Sequence, residues 1–365
     1  MKHNAFLEKL LQGASVEWKT LGEVAIIRHG RDWKSLGAGN IPVYGSGGIM
    51  GYVNKYTYQK ESVLIPRKGT ITNLFYVNKP FWNVDTIYYT EIDASQIFPK
   101  FLFYFLKTID FMKLDTGSGR PSLTQAILNK IQIPIPPLSV QQEIVKILDT
   151  LTALTSELTS ELTLRQKQYQ HYRDKLLTFG DEVEWKTLGE VAPPIRGKRV
   201  VRAELSENGE YPVYQNSLKP LGFYDKTNCR KYSTFIIAAG AAGEVGFSDV
   251  DFWAADDCYY FKCPEILNDK FLYYFLLKEN HKLFSQVRRA SIPRLGKTAI
   301  ESLKIPLPPL EEQKRIATIL DKFHTLTSSL SDGLPKEIEL RQKQYEYYRD
   351  LLLNFKQDEA SLSPS

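Results

Sequence analysis

From Ile144 onward, apolar residues recur in alternating steps of four and three, at Leu148, Leu151, Leu158, Leu162, Tyr169, Tyr172, Leu176 and Phe179, with Thr155 and Arg165 the polar exceptions. This is the a/d seam of a coiled coil and predicts a long helix. A second ladder runs through Ile316, Leu320, Phe323, Thr327, Leu330 and Leu334, takes two steps of four to Ile338, and resumes at Arg341, Tyr345, Tyr348, Leu352 and Phe355. Two successive steps of four are a stutter, which keeps the seam facing its partner while locally unwinding it. Pro335 at that point is able to kink or break the helix. A seam this long spans roughly 55–60 Å and exposes too much apolar surface to stand alone. The economical partner for each ladder is the other, packed antiparallel with pseudo-twofold symmetry.

Ahead of each ladder the pattern changes to short runs rich in Val, Ile, Tyr and Phe, broken by Gly, Pro and Asn. Ile41–Tyr44, Ser62–Ile65, Leu74–Val77 and Thr86–Tyr89 read as strands. Tyr211–Tyr214, Thr234–Ile237 and Cys258–Phe261 follow in the same order in the second half, and a helix comes next in both, Lys100–Leu106 and Lys270–Leu276. The fold class is α/β or α+β: two globular domains with β-sheets, separated by two long antiparallel coiled-coil helices in a pseudo-twofold, cyclic arrangement.

The chain states this plan twice. Glu17-Trp18-Lys19-Thr20-Leu21-Gly22-Glu23-Val24-Ala25 recurs letter for letter from Glu184 to Ala192, Ile133-Pro134-Ile135-Pro136-Pro137-Leu138 returns as Ile305-Pro306-Leu307-Pro308-Pro309-Leu310, and Leu164–Tyr169 is repeated as Leu340–Tyr345. A repeat of nearly half the chain implies two domain-sized units rather than a short-period solenoid. The offset grows from 172 at Ile133/Ile305 to 176 at Leu164/Leu340, which places a four-residue insertion around Gly333 and Pro335. The expected layout is an N-terminal helix and first domain at 1–136, a spacer helix at 137–180, a second domain at 181–308, a second spacer helix at 309–357, and a disordered tail at 358–365. Phe6–Leu11 precedes Glu17-Trp18 much as Tyr172–Leu177 precedes Glu184-Trp185. The N-terminus therefore reads as a third copy of the helix end, meeting the end of the C-terminal helix and giving the first domain the neighbour that the second has.

At 365 residues the chain has room for two cores, and 43% apolar with 24% charged residues is ordinary for a soluble globular protein. A net charge of +5 permits a nucleic-acid partner without demanding one. Three cysteines, Cys229, Cys258 and Cys263, argue against a disulfide framework, and with no hydrophobic signal core or membrane-length apolar run the expected location is the cytoplasm, with no membrane partner.

Identity is uneven within the repeat. Pro42-Val43-Tyr44 matches Pro212-Val213-Tyr214, and Phe81–Asp85 matches Phe252–Asp256, yet between these anchors Tyr44-Gly45-Ser46-Gly47 becomes Tyr214-Gln215-Asn216-Ser217, and Pro66–Thr70 gives way to Ala238–Ala242. One frame holding two different recognition surfaces is the design of a two-site reader. On these residues, and on the Ile-Pro-Ile-Pro-Pro-Leu-x-x-Gln-x-x-Ile passage at Ile133–Ile144 with its twin at Ile305–Ile316, the chain resembles the specificity subunit of type I restriction-modification systems. The Arg67–Ile71 and Phe81–Asp85 segments also look like that family's first-domain pattern. The resemblance implies that each domain reads one half of a gapped sequence in double-stranded DNA, that the helices set the gap and dock two methyltransferase subunits, and that restriction/translocase subunits join them. It further implies no cofactor on this chain, with S-adenosylmethionine and ATP/Mg on the partner subunits.

Arginine can fork onto guanine or pin a phosphate, and amide side chains read adenine. The candidate DNA contacts are Arg28, Arg31, Lys34, Tyr44, Ser46, Arg67, Lys68, Thr70 and Arg120 in the first domain. In the second they are Arg196, Lys198, Arg199, Arg202, Gln215, Asn216, Ser217, Arg288, Arg289, Arg294 and Lys297. The matched pairs Trp82/Trp253 and Tyr44/Tyr214 favour core packing, and the acidic run Asp249–Asp257 is expected to face away or inward. No Asn/Asp-Pro-Pro-Tyr/Phe adenine-methyltransferase motif or phosphate-binding Gly-x-x-x-x-Gly-Lys-Ser/Thr loop occurs, and the five histidines are scattered, so no catalytic or metal residue is assigned. Two other readings remain: a coiled-coil adaptor holding two ligand-binding domains without DNA, and a detached specificity module of a single-chain restriction-methylation enzyme.

Overall fold

Two of the repeated motifs of the first half pair with each other. In the computed structural model, which describes residues 5–116, 119–206, 209–328 and 332–356, helix α1 (Ala5–Leu11) leads into β1 (Glu17–Thr20). That strand lies antiparallel to β9 (Gln132–Ile135), with Trp18 opposite Pro134. The Trp-Lys-Thr entry and the Ile-Pro exit thus close the domain as a two-stranded clasp. Thr20 and Glu23 form a capping box that starts α2 (Leu21–Val24), the Glu23 carboxylate taking both the Thr20 N–H and hydroxyl at 2.6 Å.

Between these strands lie two sheets. The order β2-β8-β5-β6 joins Ala25–Arg28, Ile87–Ile92, Ser62–Pro66 and Phe75–Val77; the order β4-β3-β7 joins Gly48–Val53, Ile41–Gly45 and Trp82–Asn83. Val43 stands opposite Trp82 in a parallel pair, so the two anchors preserved in the repeat are neighbours. β5 is buried at every position: Val63, Leu64 and Ile65 are apolar, and Ser62 is accommodated by its hydroxyl donating to Thr90 O at 2.8 Å. Against it packs α3 (Pro99–Leu106), with Phe101, Leu102 and Leu106 fully buried; the short α4 (Gln125–Leu128) then leads to β9.

The second half repeats the clasp and both sheets in the same strand order. The clasp is β10 (Trp185–Thr187) with β18 (Lys304–Pro306), after which α6 (Leu188–Val191) is capped by Thr187 and Glu190. The sheets are β11-β17-β14-β15 (Ile195–Arg196, Cys258–Tyr260, Ser233–Ile237, Val245–Ser248) and β13-β12-β16 (Gly222–Tyr224, Tyr211–Tyr214, Trp253–Ala254). Helices α7 (Asp269–Lys278), α8 (Asn280–Ser285) and α9 (Lys297–Glu301) complete the domain.

The spacer helices are α5 (Leu138–Leu176), α10 (Leu310–Ser328) and α11 (Leu334–Leu353). The second spacer, read from sequence as one helix over 309–357, is therefore two. Gly333 sits at φ +93° with the carbonyls of Thr325 and Leu326 pressed where a side chain would be, and Pro335 falls in the first turn of α11, where its missing N–H costs nothing. The tail at 358–365 lies outside the described residues.

The chain divides into two compact units, Met1–Glu157 with Ile338–Ser365, and Leu158–Glu337. The division falls inside α5 rather than at its ends, because each half of that helix packs with a different domain. In the first unit Ile144 and Leu148 of α5 join Phe101, Leu102, Leu352 and Phe355 in one core. In the second, Tyr172 stacks on Phe323 with centroids 5.5 Å apart, and Tyr169 lies 6.5 Å from His324, so position along α5 advances as position along α10 retreats. This is the antiparallel sense expected of the pair.

A buried glutamine welds each domain to its helix. Gln141 gives both amide hydrogens to the carbonyls of Pro136 (2.8 Å) and Gln96 (3.1 Å) and takes the Phe98 N–H at 2.7 Å. Gln313 does the same with Pro308, Ile266 and Asn268. Both are fully buried, so three hydrogen bonds each are what make the Pro-Pro-Leu-x-x-Gln motif affordable in a core. Farther along, Asp149 holds Lys100 at 2.7 Å and the Tyr104 hydroxyl at 2.6 Å; Asp321 holds Lys270 at 2.8 Å and the Tyr274 hydroxyl at 2.5 Å. Burial, then the carboxylate as hydrogen-bond acceptor, pushes both phenols well above the usual tyrosine range.

The N-terminal helix meets α11 as expected, Phe6 edge-on to Tyr348 at 6.2 Å. It does not, however, fill the seat that the end of α5 takes on the second domain. That seat on the first domain belongs to the end of α11, with Phe355 on Phe101 where the second has Phe179 on Phe271. Seven residues with one buried side chain, Leu7, are too little to replace Leu352, Leu353 and Phe355.

Candidate nucleic-acid interface

In each domain the loops that carry the candidate residues gather at one end of the sheets. The ends of β3 and β5, the start of β8 and the end of β2 meet there in the first domain: Arg28 lies opposite Tyr89, Ile65 opposite Tyr88, and Val84 donates to the Tyr44 carbonyl at 3.0 Å. The loop after β5 is then pinned on both sides. Arg67 N–H donates to Thr86 O at 2.8 Å, Gly69 N–H to Pro121 O at 2.9 Å, and Leu123 N–H to Arg67 O at 2.9 Å. Gly69 adopts φ +89°, a conformation that favours glycine. A Cβ built there would lie 3.4 Å from Ser46 Oγ and 3.3 Å from an Arg120 guanidinium nitrogen. Ser46, Lys68, Thr70 and Arg120 are thereby brought together, with Arg67 donating to the Asp85 carbonyl at 3.3 Å.

The second domain uses the same backbone bonds with other side chains. Ala238 N–H donates to Asp257 O at 2.6 Å, Gly240 N–H to Pro293 O at 3.1 Å, and Leu295 N–H to Ala238 O at 2.8 Å, with Gly240 at φ +86° against Asn216. The register makes Ala238 the counterpart of Arg67, Ala239 of Lys68 and Asn216 of Ser46. Trp253 donates to Lys198 O at 2.8 Å as Trp82 does to Arg31 O at 3.0 Å, and Gly197, like Gly30, is pressed against the carbonyls of the strand beneath. Arg196 therefore stands at the seat of His29, and it reaches Asp256 O at 2.9 Å, the counterpart of the carbonyl that Arg67 takes. The matched carbonyl acceptor is served in one domain by an arginine from the loop after β5 and in the other by an arginine at the end of strand β11.

Positive charge is thus only partly shared between the domains. Arg31 and Lys198 hold matched seats, but in the first domain further charge sits on the loop after β5 and at Arg120. In the second it sits instead at Arg196, Arg199 and Arg202, and on a loop closed by Arg288 N–H to Arg294 O (2.9 Å) and Arg294 N–H to Arg288 O (3.1 Å), which also presents Arg289. Gln215, Asn216 and Ser217 follow β12; Cys258 Sγ donates to Gln215 O at 3.1 Å, and Ser217 Oγ to Lys219 O at 3.1 Å. Burial pushes the Cys258 thiol up and keeps it a neutral donor.

Not every candidate is free to meet a ligand. Arg28 is held by the Glu91 carboxylate at 3.2 and 3.3 Å, and Lys297 is paired with Glu301 at 3.0 Å along α9. Tyr44 packs its ring on Phe75 (5.7 Å) and Phe81 (6.3 Å), so it belongs to the core beneath the loops rather than to their surface; Tyr214 does likewise on Phe235 at 4.6 Å. Arg31, Lys34, Lys68, Arg120, Lys198, Arg199, Arg202, Arg288, Arg289 and Arg294 form no ion pair among the described residues. The acidic run divides: Asp249 and Asp251 lie past the Ser248 end of β15, away from these loops, whereas Asp256 and Asp257 are half-buried in the turn beneath them. His29, whose ring meets Tyr88 at 5.0 Å, escaped the sequence reading; aligning Gly30 with Gly197 would have placed it at the seat of Arg196.

Among the described residues no group of three or more His, Cys, Asp or Glu side chains could hold a metal ion, and no helix is long and apolar enough to cross a membrane. Residues 15–165 and 180–340 each match the type I restriction modification DNA specificity domain. A putative type I restriction enzyme specificity subunit of Haemophilus influenzae is 39% identical over 97% of this chain and 100% of its own length. The EcoR124I/EcoR124II specificity subunit of Escherichia coli is 34% identical over 99% of both. In fold, the chain resembles the crystal structure of the type I restriction-modification S subunit from M. genitalium, with a TM-score of 0.70, 17% identity, and coverage of 94% of this chain and 98% of that one. Two family domains, in the order and with the helices the repeat dictates, show that this chain belongs to the type I restriction-modification specificity subunits.

Proposed function

We propose that this chain reads a two-part DNA sequence for a type I restriction-modification complex, each domain contacting one half-site through its gathered loops while the helices set the gap. The observation that carries this reading is the exchange of chemistry at matched seats: two frames with the same backbone bonds present Arg67, Lys68 and Ser46 in one case and Ala238, Ala239 and Asn216 in the other. A duplicated binding site for one ligand would keep its side chains; two half-sites of different sequence require them to differ. Half-sites read on one face of a duplex lie roughly 34 Å apart, a distance a rigid helical spacer can hold.

The chain acts by recognition and assembly and performs no chemistry of its own. Methyltransferase subunits dock on the parts that repeat verbatim, since two like partners need two like surfaces. They bring S-adenosylmethionine; restriction/translocase subunits bring ATP and Mg. The complex works in the cytoplasm, in keeping with free thiols at Cys229, Cys258 and Cys263.

The test is duplex binding by the chain together with its methyltransferase partner. Affinity should favour one gapped sequence and fall by on the order of a thousandfold between 50 and 200 mM salt, as expected when six or more phosphates are neutralised. Binding without sequence preference would make the chain an adaptor.

A further inference from the structure

In the middle of its basic loop the second domain exposes an isoleucine. Ile292 is 53% exposed, and the backbone bonds of the loop fix its place. Arg288 N–H to Arg294 O matches Thr116 N–H to Ser122 O (3.0 Å), and the Gly240–Pro293 bond matches Gly69–Pro121. Ile292, one residue before that proline, therefore occupies the seat of Arg120. Arg288, Arg289 and Arg294 around it make no ion pair among the described residues, and Ala238 and Ala239, at the seats of Arg67 and Lys68, are too short to cover it.

We propose that Ile292 is a specificity-determining residue that contacts the 5-methyl group of a thymine in the half-site of the second domain. The inference rests on the reading that this loop faces DNA. An arginine at this seat can fork onto guanine in the major groove; an isoleucine can satisfy no donor or acceptor there, and the thymine methyl is the apolar group that the groove offers. The flanking arginines supply the phosphate contacts that hold such a loop in register. Replacing Arg120 by Ile292 thus changes the base pair accepted at that seat from one read by hydrogen bonds to one read by shape.

The experiment uses the full chain with its methyltransferase partner and a duplex carrying its recognition sequence. Each thymine of the second half-site is replaced in turn by deoxyuridine, which removes only the methyl group. One replacement should weaken binding by about fourfold, the value of one buried methyl-sized group. Ile292→Ala should bind the thymine and uracil duplexes equally, and Ile292→Arg, which copies the first domain, should do the same; replacements in the first half-site should respond identically in all three proteins. A wild-type complex that keeps its sequence preference but ignores every deoxyuridine in the second half-site overturns the proposal while leaving the DNA reading intact. Loss of all sequence preference in the wild type would overturn both.

Discussion

Trp18 donates its indole N–H to the carbonyl of Lys356, 338 residues along the chain, at 3.3 Å. Trp185 makes the corresponding bond to Gly180 at 3.2 Å, five residues away. A contact that is local in the second domain is thus supplied to the first by the far end of the chain. The core of the first domain is finished with Leu352, Leu353 and Phe355, all buried. Phe355→Ala should therefore destabilise the first unit by about 3 kcal/mol through the cavity it leaves at Phe101. Hydrogen exchange should show the loss in β5 and α3, while β14 and α7 keep their protection.

Gln141→Leu and Gln313→Leu test the welds. Each removes three hydrogen bonds, one to a buried proline carbonyl and two to a partly buried N–H and carbonyl, a loss of about 2–4 kcal/mol. Chemical denaturation should show a lower midpoint in both. A neutral outcome would mean that the Pro-Pro-Leu-x-x-Gln motif is kept for another purpose.

Stability of the second unit should depend on pH through His324. Burial holds its pKa below the ordinary histidine value, with Asp321 opposing and Lys270 reinforcing the shift. A histidine lowered on folding is neutral in the folded state, so its contribution is fully present above about pH 6.5 and lost as pH falls through the lowered value. Urea midpoints at pH 5.0 and 8.0 should differ in that direction, and His324→Phe should reduce the difference.

The candidate contacts separate into charges free to meet phosphate and charges already spent. Arg288→Ala with Arg289→Ala should weaken binding to the second half-site and lower the salt dependence by about two phosphate contacts. Arg67→Ala with Lys68→Ala should do so at the first. Arg28→Ala, by contrast, removes a guanidinium held by Glu91 and should change affinity little.

The architecture was legible in sequence because it is written in periods and copies. The buried run Ser62–Ile65, the helix Lys100–Leu106 and the α5 ladder all declare themselves by apolar spacing; the second copy repeats the first two, while its ladder is divided between α10 and α11. What could not be read there depends on three-dimensional register. That Trp18 pairs with Pro134 follows from a strand pairing between segments over a hundred residues apart. Arg28 looks as basic as Arg67 until Glu91 appears two residues along the neighbouring strand. The break before α11 was foreshadowed by Gly333 and Pro335, but whether the helix kinks or ends is decided by a glycine conformation that sequence does not display.

The central claim, that two different readers sit on one repeated frame, is tested most directly by exchanging the two globular segments and sequencing the methylome of a host that expresses the exchanged chain with its methyltransferase partner. The two half-sites should trade places around the gap. A methylated sequence unchanged from that of the parent chain would contradict the account.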